Sequence, residues 1–332
     1  MVFLSTPMDP RDRRVLERIL VGLPLVPEPF AQLADELGID AHEICNRINH
    51  LKENGILRQL GGVFSPSRLG YRSAIVAVSI PDHLADRTAG IINLHPNITH
   101  NALYKADYNI WFALWSPPGN DPERDVEALL ERAEATKHQV MHDRVTYIDG
   151  EALAEPEAID IDQPSRELIE LLQQDLELIP RPFRHLSRSV QISESQLISE
   201  LVRMHELQLI ERYGGILRRQ QAGIEEVRAL VALRVERKKE MQAARELSQL
   251  PNVLRAYVRE MSDELPYNVY AHLSSPDSLN FERITARMVS SRTVQAHRQF
   301  MSLREYKSCR LKYFTNDYAL WKESFLEEPV EQ

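Results

Sequence analysis

The sequence predicts an α+β fold made twice over, a tandem duplication of a winged helix-turn-helix followed by a ferredoxin-like β-α-β-β-α-β domain. Three observations carry that prediction. The run Leu94 to Leu114, LHPNITHNALYKADYNIWFAL, returns in degraded form at Leu250 to Leu273, LPNVLRAYVREMSDELPYNVYAHL. With Pro96-Asn97 laid on Pro251-Asn252, His100 falls opposite Arg255, and Tyr108-Asn109 later falls opposite Tyr267-Asn268. Each copy is preceded by a helix-turn-helix pattern and a glycine pair, so the repeat sets the domain plan before any element is assigned. At 332 residues the chain is long enough for several separate cores.

Taken in order, Asp9 to Leu23 reads as a helix, with Val15, Leu16, Ile19 and Leu20 at helical spacing and Asp9-Pro10 as cap and first turn. Phe30 to Leu37, a turn at Gly38-Ile39-Asp40, and Ala41 to Glu53 make a helix-turn-helix. Ile56 to Phe64 then reads as a hairpin wing broken at Gly61-Gly62. The apolar run SAIVAVSI predicts a strand, His83 to Leu94 a helix, and Ile98 to Leu103 and Asn109 to Trp115 two further strands. A helix from Pro122 to Thr136 and a strand at Val140 to Ile148 complete β-α-β-β-α-β, which fits a ferredoxin-like sandwich better than a doubly wound sheet. EALAEPEAIDIDQPSRE is acidic and proline-bearing, the best linker candidate.

The programme then restarts. Ser165 to Leu176 reads as a helix and the run PFRHLSRSVQISESQLISELVRMHELQLI as the second helix-turn-helix, with a wing at Glu211 to Arg219 around Gly214-Gly215. A strand at Val227 to Val235, a helix to Leu250, and strands at Val253 to Glu260 and Asn268 to Leu273 follow. A helix from Ser278 to Ser290 and a strand at Lys307 to Phe314 finish the copy. The expected segments are 8–65, winged helix-turn-helix 1; 66–150, ferredoxin-like domain 1; 151–164, linker; 165–220, winged helix-turn-helix 2; and 221–325, ferredoxin-like domain 2. The sheets of the two ferredoxin-like domains are expected to pack together as an intrachain pseudo-dimer, with further homo-oligomerisation open.

Composition narrows the function. A formal charge of −9 leaves no overall electrostatic footprint for nucleic acid, although a local basic patch stays open. Cys45 and Cys309 lie far apart and form no CxxC, which argues against a zinc ribbon or a disulfide framework and for a reducing cytoplasm. The amino terminus has its apolar residues before its charges, the wrong layout for a signal peptide, and no stretch approaches a membrane span.

The alternation of winged helix and ferredoxin-like module resembles the AsnC/Lrp regulators, which would imply DNA reading by the second helix of each winged motif. The residues argue otherwise. SESQLISELVRMHE carries Glu194, Glu200 and Glu206 against Arg203, and acids near phosphates are repelled without counterion release in return. The first copy, AHEICNRINHLKE, is balanced, with Arg47 and Lys52 against Glu43 and Glu53. No sequence-specific DNA is expected as a partner.

A second resemblance rests on GGVFSPSRLGYRS, THNALYKADYNIWFAL, YGGILRRQQAG, LPYNVYAHL and REYKSCRLKYF, five runs in order along the chain. Together they are similar to the siroheme decarboxylases, in the form that joins two homologous subunits. That resemblance implies loss of carbon dioxide from two acetate side chains of siroheme, giving didecarboxysiroheme, with no cofactor beyond the iron tetrapyrrole substrate.

Such a substrate carries eight carboxylates, so cations are needed, and arginine's planar fork suits carboxylate. Arg68 and Arg72 beside the first wing, Arg218 and Arg219 beside the second, and Arg255 and Arg259 on the second copy's middle strand are the candidates. For any one of them solvated surface charge is an even alternative. Protonation of the carbanion left by decarboxylation calls for a donor near neutrality, and His100, in the THN run, is the first choice. Spacing alone favours a hydrogen-bonded sheet histidine there; the motif match turns the choice. His100 is also one candidate axial ligand of the siroheme iron.

By strand alternation Ile98 and His100 should share one face and Thr99 and Asn101 the other, with Tyr104 on the His100 face. Tyr108 and Trp111 offer an aromatic wall, or are simply core. In the second copy Arg255 stands where the first has His100, with Tyr257 two residues on. That suggests one acid site with an anchoring half, or one pocket from both copies, and His272 is the candidate for the missing imidazole. His138 and His142 are discounted as a metal pair because strand onset is expected there. A DNA-binding regulator sensing a small molecule or haem, and a non-catalytic haem carrier, are the other readings.

Overall fold

The structure, a computed structural model, describes residues 8–135, 137–153, 157–218, 227–275 and 277–326. In chain order the elements are α1 (Pro10–Val21), α2 (Pro29–Leu37), α3 (Ala41–Glu53), β1 (Leu57–Phe64), β2 (Arg72–Ser79), a 3-10 turn (Asp82–Leu84), α4 (Ala85–Ile92), β3 (Ile98–Tyr104), β4 (Ile110–Ser116) and α5 (Pro122–Arg132). Then come β5 (Lys137–Met141), β6 (Asp143–Ile148), β7 (Glu151–Leu153), α6 (Gln163–Leu172), α7 (Pro182–Ser189), α8 (Glu194–Glu206) and β8 (Ile210–Leu217). The chain closes with β9 (Val227–Val235), α9 (Glu240–Ser248), β10 (Val253–Arg259), β11 (Val269–Ser275), α10 (Ser278–Val289), β12 (Val294–Ser308) and α11 (Asp317–Leu326). No helix among the described residues is long and apolar enough to cross a membrane.

The helices start where local chemistry says they should. Asp9 accepts the Arg11 backbone N–H ahead of Pro10, Asp40 accepts that of His42, and Ser193 and Gln196 form a reciprocal capping box at α8. Among the described residues two compact units result, one from 8–70, 157–218 and 312–314, the other from 71–153, 227–311 and 315–326. The first holds both helix-turn-helix segments and the second both ferredoxin-like segments.

Within the winged-helix unit the two expected hairpins do not form. Each wing is a single strand, and β1 pairs antiparallel with β8, setting Gly61 opposite Gly214 and Leu60 opposite Gly215. The glycines serve close approach rather than a turn. A Cβ on Gly214 would lie 2.5 Å from the Ile19 carbonyl oxygen of α1, and one on Gly61 would lie 2.9 Å from that of Gln174. Tyr313 belongs to the same unit, where its hydroxyl donates to the Phe64 carbonyl.

The second unit is a ten-stranded sheet in the order β5-β2-β4-β3-β12-β9-β11-β10-β6-β7. Each half keeps the ferredoxin-like order, and the closing strand of each copy is shared between halves. The stretch expected as one strand, Val140 to Ile148, is divided at His142: β5 pairs with β2 of its own copy and β6 pairs with β10 of the other. The expected strand at Lys307 to Phe314 lies upstream, as β12, whose first part pairs with β9 and whose last part pairs with β3. Only Phe300 of β12 is fully buried, so the strand carries no apolar run; its backbone ladders on both sides hold it.

Three cores follow. Ile98, Ile110, Phe112 and Leu114 pack against Val126 and Leu129 of α5, and α11 adds Tyr318 and Trp321 to this cluster. Val231, Ala256, Val258 and Val269 pack with Leu247 and Phe281 in the second copy. The opposite faces share a third core, with Tyr104, Tyr108 and Trp111 from one copy and Leu230, Tyr270 and Phe300 from the other. This shared core is the pseudo-dimer packing anticipated from the repeat.

Candidate active site

The shared core brings the candidate residues of both copies onto one continuous set of contacts. A register shift between Ile98 and His100 adds a residue to β3. Ile98 therefore packs on the helix side, as does Asn101, whose amide donates to the Ala89 carbonyl, while His100 faces the other way. This corrects the simple alternation, under which Ile98 and His100 share a face. Tyr104 does join His100: the phenol oxygen is 3.5 Å from His100 Nε2.

On the other side of the imidazole, Glu305 of β12 brings Oε2 to 3.8 Å from His100 Nδ1, and Arg228 Nη1 of β9 lies 3.8 Å from the same oxygen. Burial pushes the Tyr104 phenol well above its ordinary pKa, with the Glu305 carboxylate and Tyr257 adding and Arg259 opposing. Tyr104 is thus a neutral hydrogen-bonding group.

The contacts run on into the second copy. The Trp111 ring lies 6.4 Å from that of Tyr104 and 6.2 Å from that of Tyr270, with Phe300 at 5.0 Å. Arg259 stacks its guanidinium 4.7 Å from the Tyr270 ring and 4.8 Å from that of Tyr257. Its Nε donates to Asp143 Oδ1 at 2.5 Å. Burial acts to lower the guanidinium pKa, but the Asp143 carboxylate, with Tyr257 and Tyr270 adding to it, turns the balance upward and the cation holds its charge. Burial raises the Tyr257 phenol, opposed by Arg255, and Tyr257 meets His272 edge to face at 5.5 Å.

Ladder register makes the two copies comparable rung by rung. His100 of β3 stands opposite Ala113 of β4, whereas Arg255 of β10 stands opposite His272 of β11. The second copy therefore carries its imidazole on the neighbouring strand of the same rung. Tyr104 pairs with Ser302 where Arg259 pairs with Asp143. The halves are alike in frame and unlike in charge.

Of the remaining sequence candidates, two lie within the shared core itself and the others fall elsewhere. Tyr108 and Trp111 are buried core; the Tyr108 hydroxyl donates to Glu264 and Trp111 Nε1 donates to the Tyr108 carbonyl. Arg72 is exposed, 3.8 Å from Asp121. Arg68 belongs to the winged-helix unit, where its guanidinium donates to the carbonyls of Leu207 and Glu157. Arg218 is exposed in that unit, and Arg219 lies outside the described residues. His138 sits in β5 and His142 at its end, 3.3 Å from Glu123.

Glu305, Arg228, Asp143 and Tyr270 are functional neighbours that the sequence reading misses. For the first three the signal is absent without the crossing strands. Tyr270 was visible, two residues before His272 and at the place of Trp111 in the repeat.

Comparison with known proteins gives this geometry a family. The siroheme decarboxylase NirDL-like HTH domain matches residues 12–58 and 165–210, and the AsnC-like ligand binding domain matches 68–147 and 221–307. The siroheme decarboxylase of Hydrogenobacter thermophilus is 26% identical over 93% of this chain and 96% of its own. The siroheme decarboxylase alpha subunit of Nitratidesulfovibrio vulgaris is 40% identical over 38% of this chain and 71% of its own. The crystal structure of the siroheme decarboxylase NirDL shares the fold, with a TM-score of 0.82, 23% identity, and coverage of 96% of this chain and 98% of that one. A second NirDL structure, in co-complex with an iron-uroporphyrin III analogue, superposes at 0.81 with 23% identity over 96% of this chain and 99% of that one. The chain belongs to the siroheme decarboxylase family, with two AsnC-like ligand-binding domains carried in a single polypeptide.

Proposed function

We propose that this chain removes carbon dioxide from two acetate side chains of siroheme, each becoming methyl, to give didecarboxysiroheme. The observation that carries the reading is the grouping of His100, Tyr104 and Glu305 with Tyr257 and Arg259 around one shared core, in a chain similar over nearly its whole length to siroheme decarboxylases. That reading is favoured over a DNA-binding regulator or a passive haem carrier.

The chemistry asks little of the protein beyond charge and one proton per acetate. The bond between the methylene and the carboxylate carbon breaks, carbon dioxide leaves, and the electron pair stays on the methylene, delocalised into the macrocycle. A proton then closes the methyl group. His100 supplies it, held between Glu305 on the Nδ1 side and the Tyr104 hydroxyl on the Nε2 side. His272 is the second imidazole, set one strand over at the equivalent rung. Arg255 and Arg259 take substrate carboxylates, with Tyr257 between them. The iron belongs to the substrate, and His100 as an axial ligand would be an alternative to its acid role.

Anaerobic incubation with siroheme followed by mass analysis tests this directly. Loss of one and then two carbon dioxide units is expected. Siroheme recovered intact from a folded, binding-competent preparation would refute the assignment.

A further inference from the structure

Arg259 and Tyr270 share an unusual condition. Arg259 is 2% exposed and Tyr270 is 0% exposed, yet Nη1 of the one and the hydroxyl of the other have no hydrogen-bond partner among the described residues. The two side chains are stacked, the guanidinium carbon 4.7 Å from the ring centroid. A buried donor left unpaired is costly, and two in one stacked pair mark a place where a partner is missing. The surroundings say what kind. Asp143 already occupies Arg259 Nε, so the fork is fixed in direction, and the Tyr257 ring is 4.8 Å from the same guanidinium. Nη1 and a phenol hydroxyl, both donors and one cationic, match a carboxylate oxygen pair. Arg255, by contrast, is exposed, and the rung equivalent to Arg259 in the first copy holds Tyr104.

We infer that Arg259 Nη1 and the Tyr270 hydroxyl form a buried subsite for one tetrapyrrole carboxylate, present in the second copy alone. This deepens the function proposed above and rests on it for the identity of the ligand. Tyr270 gains a role as a substrate-binding residue, and the substrate is oriented because one carboxylate has a single buried seat.

The test uses the full chain and iron uroporphyrin III, an eight-carboxylate tetrapyrrole, with iron protoporphyrin IX, which has two, for comparison. Tyr270→Phe deletes only the hydroxyl. It should bind iron uroporphyrin III about tenfold more weakly, the scale of one hydrogen bond to a charged group, with an unchanged or raised thermal midpoint. Arg259→Lys keeps a charge for Asp143, loses the fork, and should weaken binding by at least as much. Undiminished affinity in Tyr270→Phe overturns the subsite. So does a marked fall in its melting temperature, which would mean that the hydroxyl has a structural partner, and so does a wild-type chain that does not bind iron uroporphyrin III. An equal loss for iron protoporphyrin IX supports the subsite as one that accepts any tetrapyrrole carboxylate; a selective loss supports it as one that reads the eight-carboxylate substrate. Siroheme turnover by the same wild-type preparation reports separately on the decarboxylase reading.

Discussion

Glu305 Oε2 lies 3.8 Å from His100 Nδ1, carried there by a strand that pairs first with its own copy and then with β3 of the other. On the other side of the ring the Tyr104 phenol oxygen lies 3.5 Å from Nε2. His100→Ala should keep siroheme binding and slow turnover by roughly a hundredfold or more, the scale for losing a general acid. Glu305→Gln, which keeps an acceptor and loses the charge, should slow it by roughly tenfold. Single-turnover product analysis alongside absorption titration separates the two effects. Normal turnover in His100→Ala would move the acid role to His272, and weak binding with an altered iron spectrum would make His100 a ligand.

Arg255 is exposed and is expected to hold a substrate carboxylate from outside the shared core. Arg255→Ala should weaken siroheme binding by about 1–3 kcal/mol, and Arg255→Lys should recover part of it, keeping charge without the fork. Equal affinity of all three proteins would remove Arg255 from the site.

The winged helices are expected to bind no defined operator. Arg47 of α3 is engaged with Asp12 and Glu43, and Arg203 of α8 with Glu200, so both reading helices hold these arginines in internal ion pairs. Association with duplex DNA should be weak and vanish with salt. Tight binding of one sequence at physiological salt, by fluorescence anisotropy, would contradict this.

Acid should loosen the first ferredoxin-like module through His95. The residue is fully buried, its Nδ1 accepts the Asn97 backbone N–H, and its ring centroid lies 4.2 Å from that of Trp321 of α11, the planes tilted by 59°. Burial lowers its pKa from 6.5, against the opposing pull of Asp125. Since the unfolded chain then takes up the proton first, stability is present above pH 6.5 and is lost as pH falls below it. The melting temperature of His95→Gln should fall less between pH 7.5 and pH 5.5 than that of the wild type.

Two glycines should respond in opposite senses to alanine. Gly214→Ala forces a methyl to within 2.5 Å of the Ile19 carbonyl oxygen and should cost about 1–3 kcal/mol. Gly90, exposed in α4 with open space around it, should give about 0.5–1 kcal/mol of added stability. Urea denaturation of both variants checks the pair.

Much of this was legible in the residues. The repeat, the helix caps and the apolar strands are local signals, and they located both helix-turn-helix segments and the frame of both sheets. What failed was pairing. Nothing in GGVF or YGGI says that each wing seeks the other, and β12 hides because only Phe300 within it is fully buried. His100 and Tyr104 are readable from motif and period, but alternation puts Ile98 on the wrong face because a bulge is invisible to it. Glu305 and Asp143 come from crossing strands, so no spacing along the chain could have matched them with His100 and Arg259.

The reciprocal loan of β6 and β12 makes the two ferredoxin-like modules mutual hostages. Severing the polypeptide between them would not set two domains free, since each fragment would still be laced into the other's sheet. Either fragment made alone would lack a strand where the other supplies one, and would expose the bare edge of β3 or β10. Inheritance is constrained in the same way: neither half can lose the strand it lends without baring an edge of its twin.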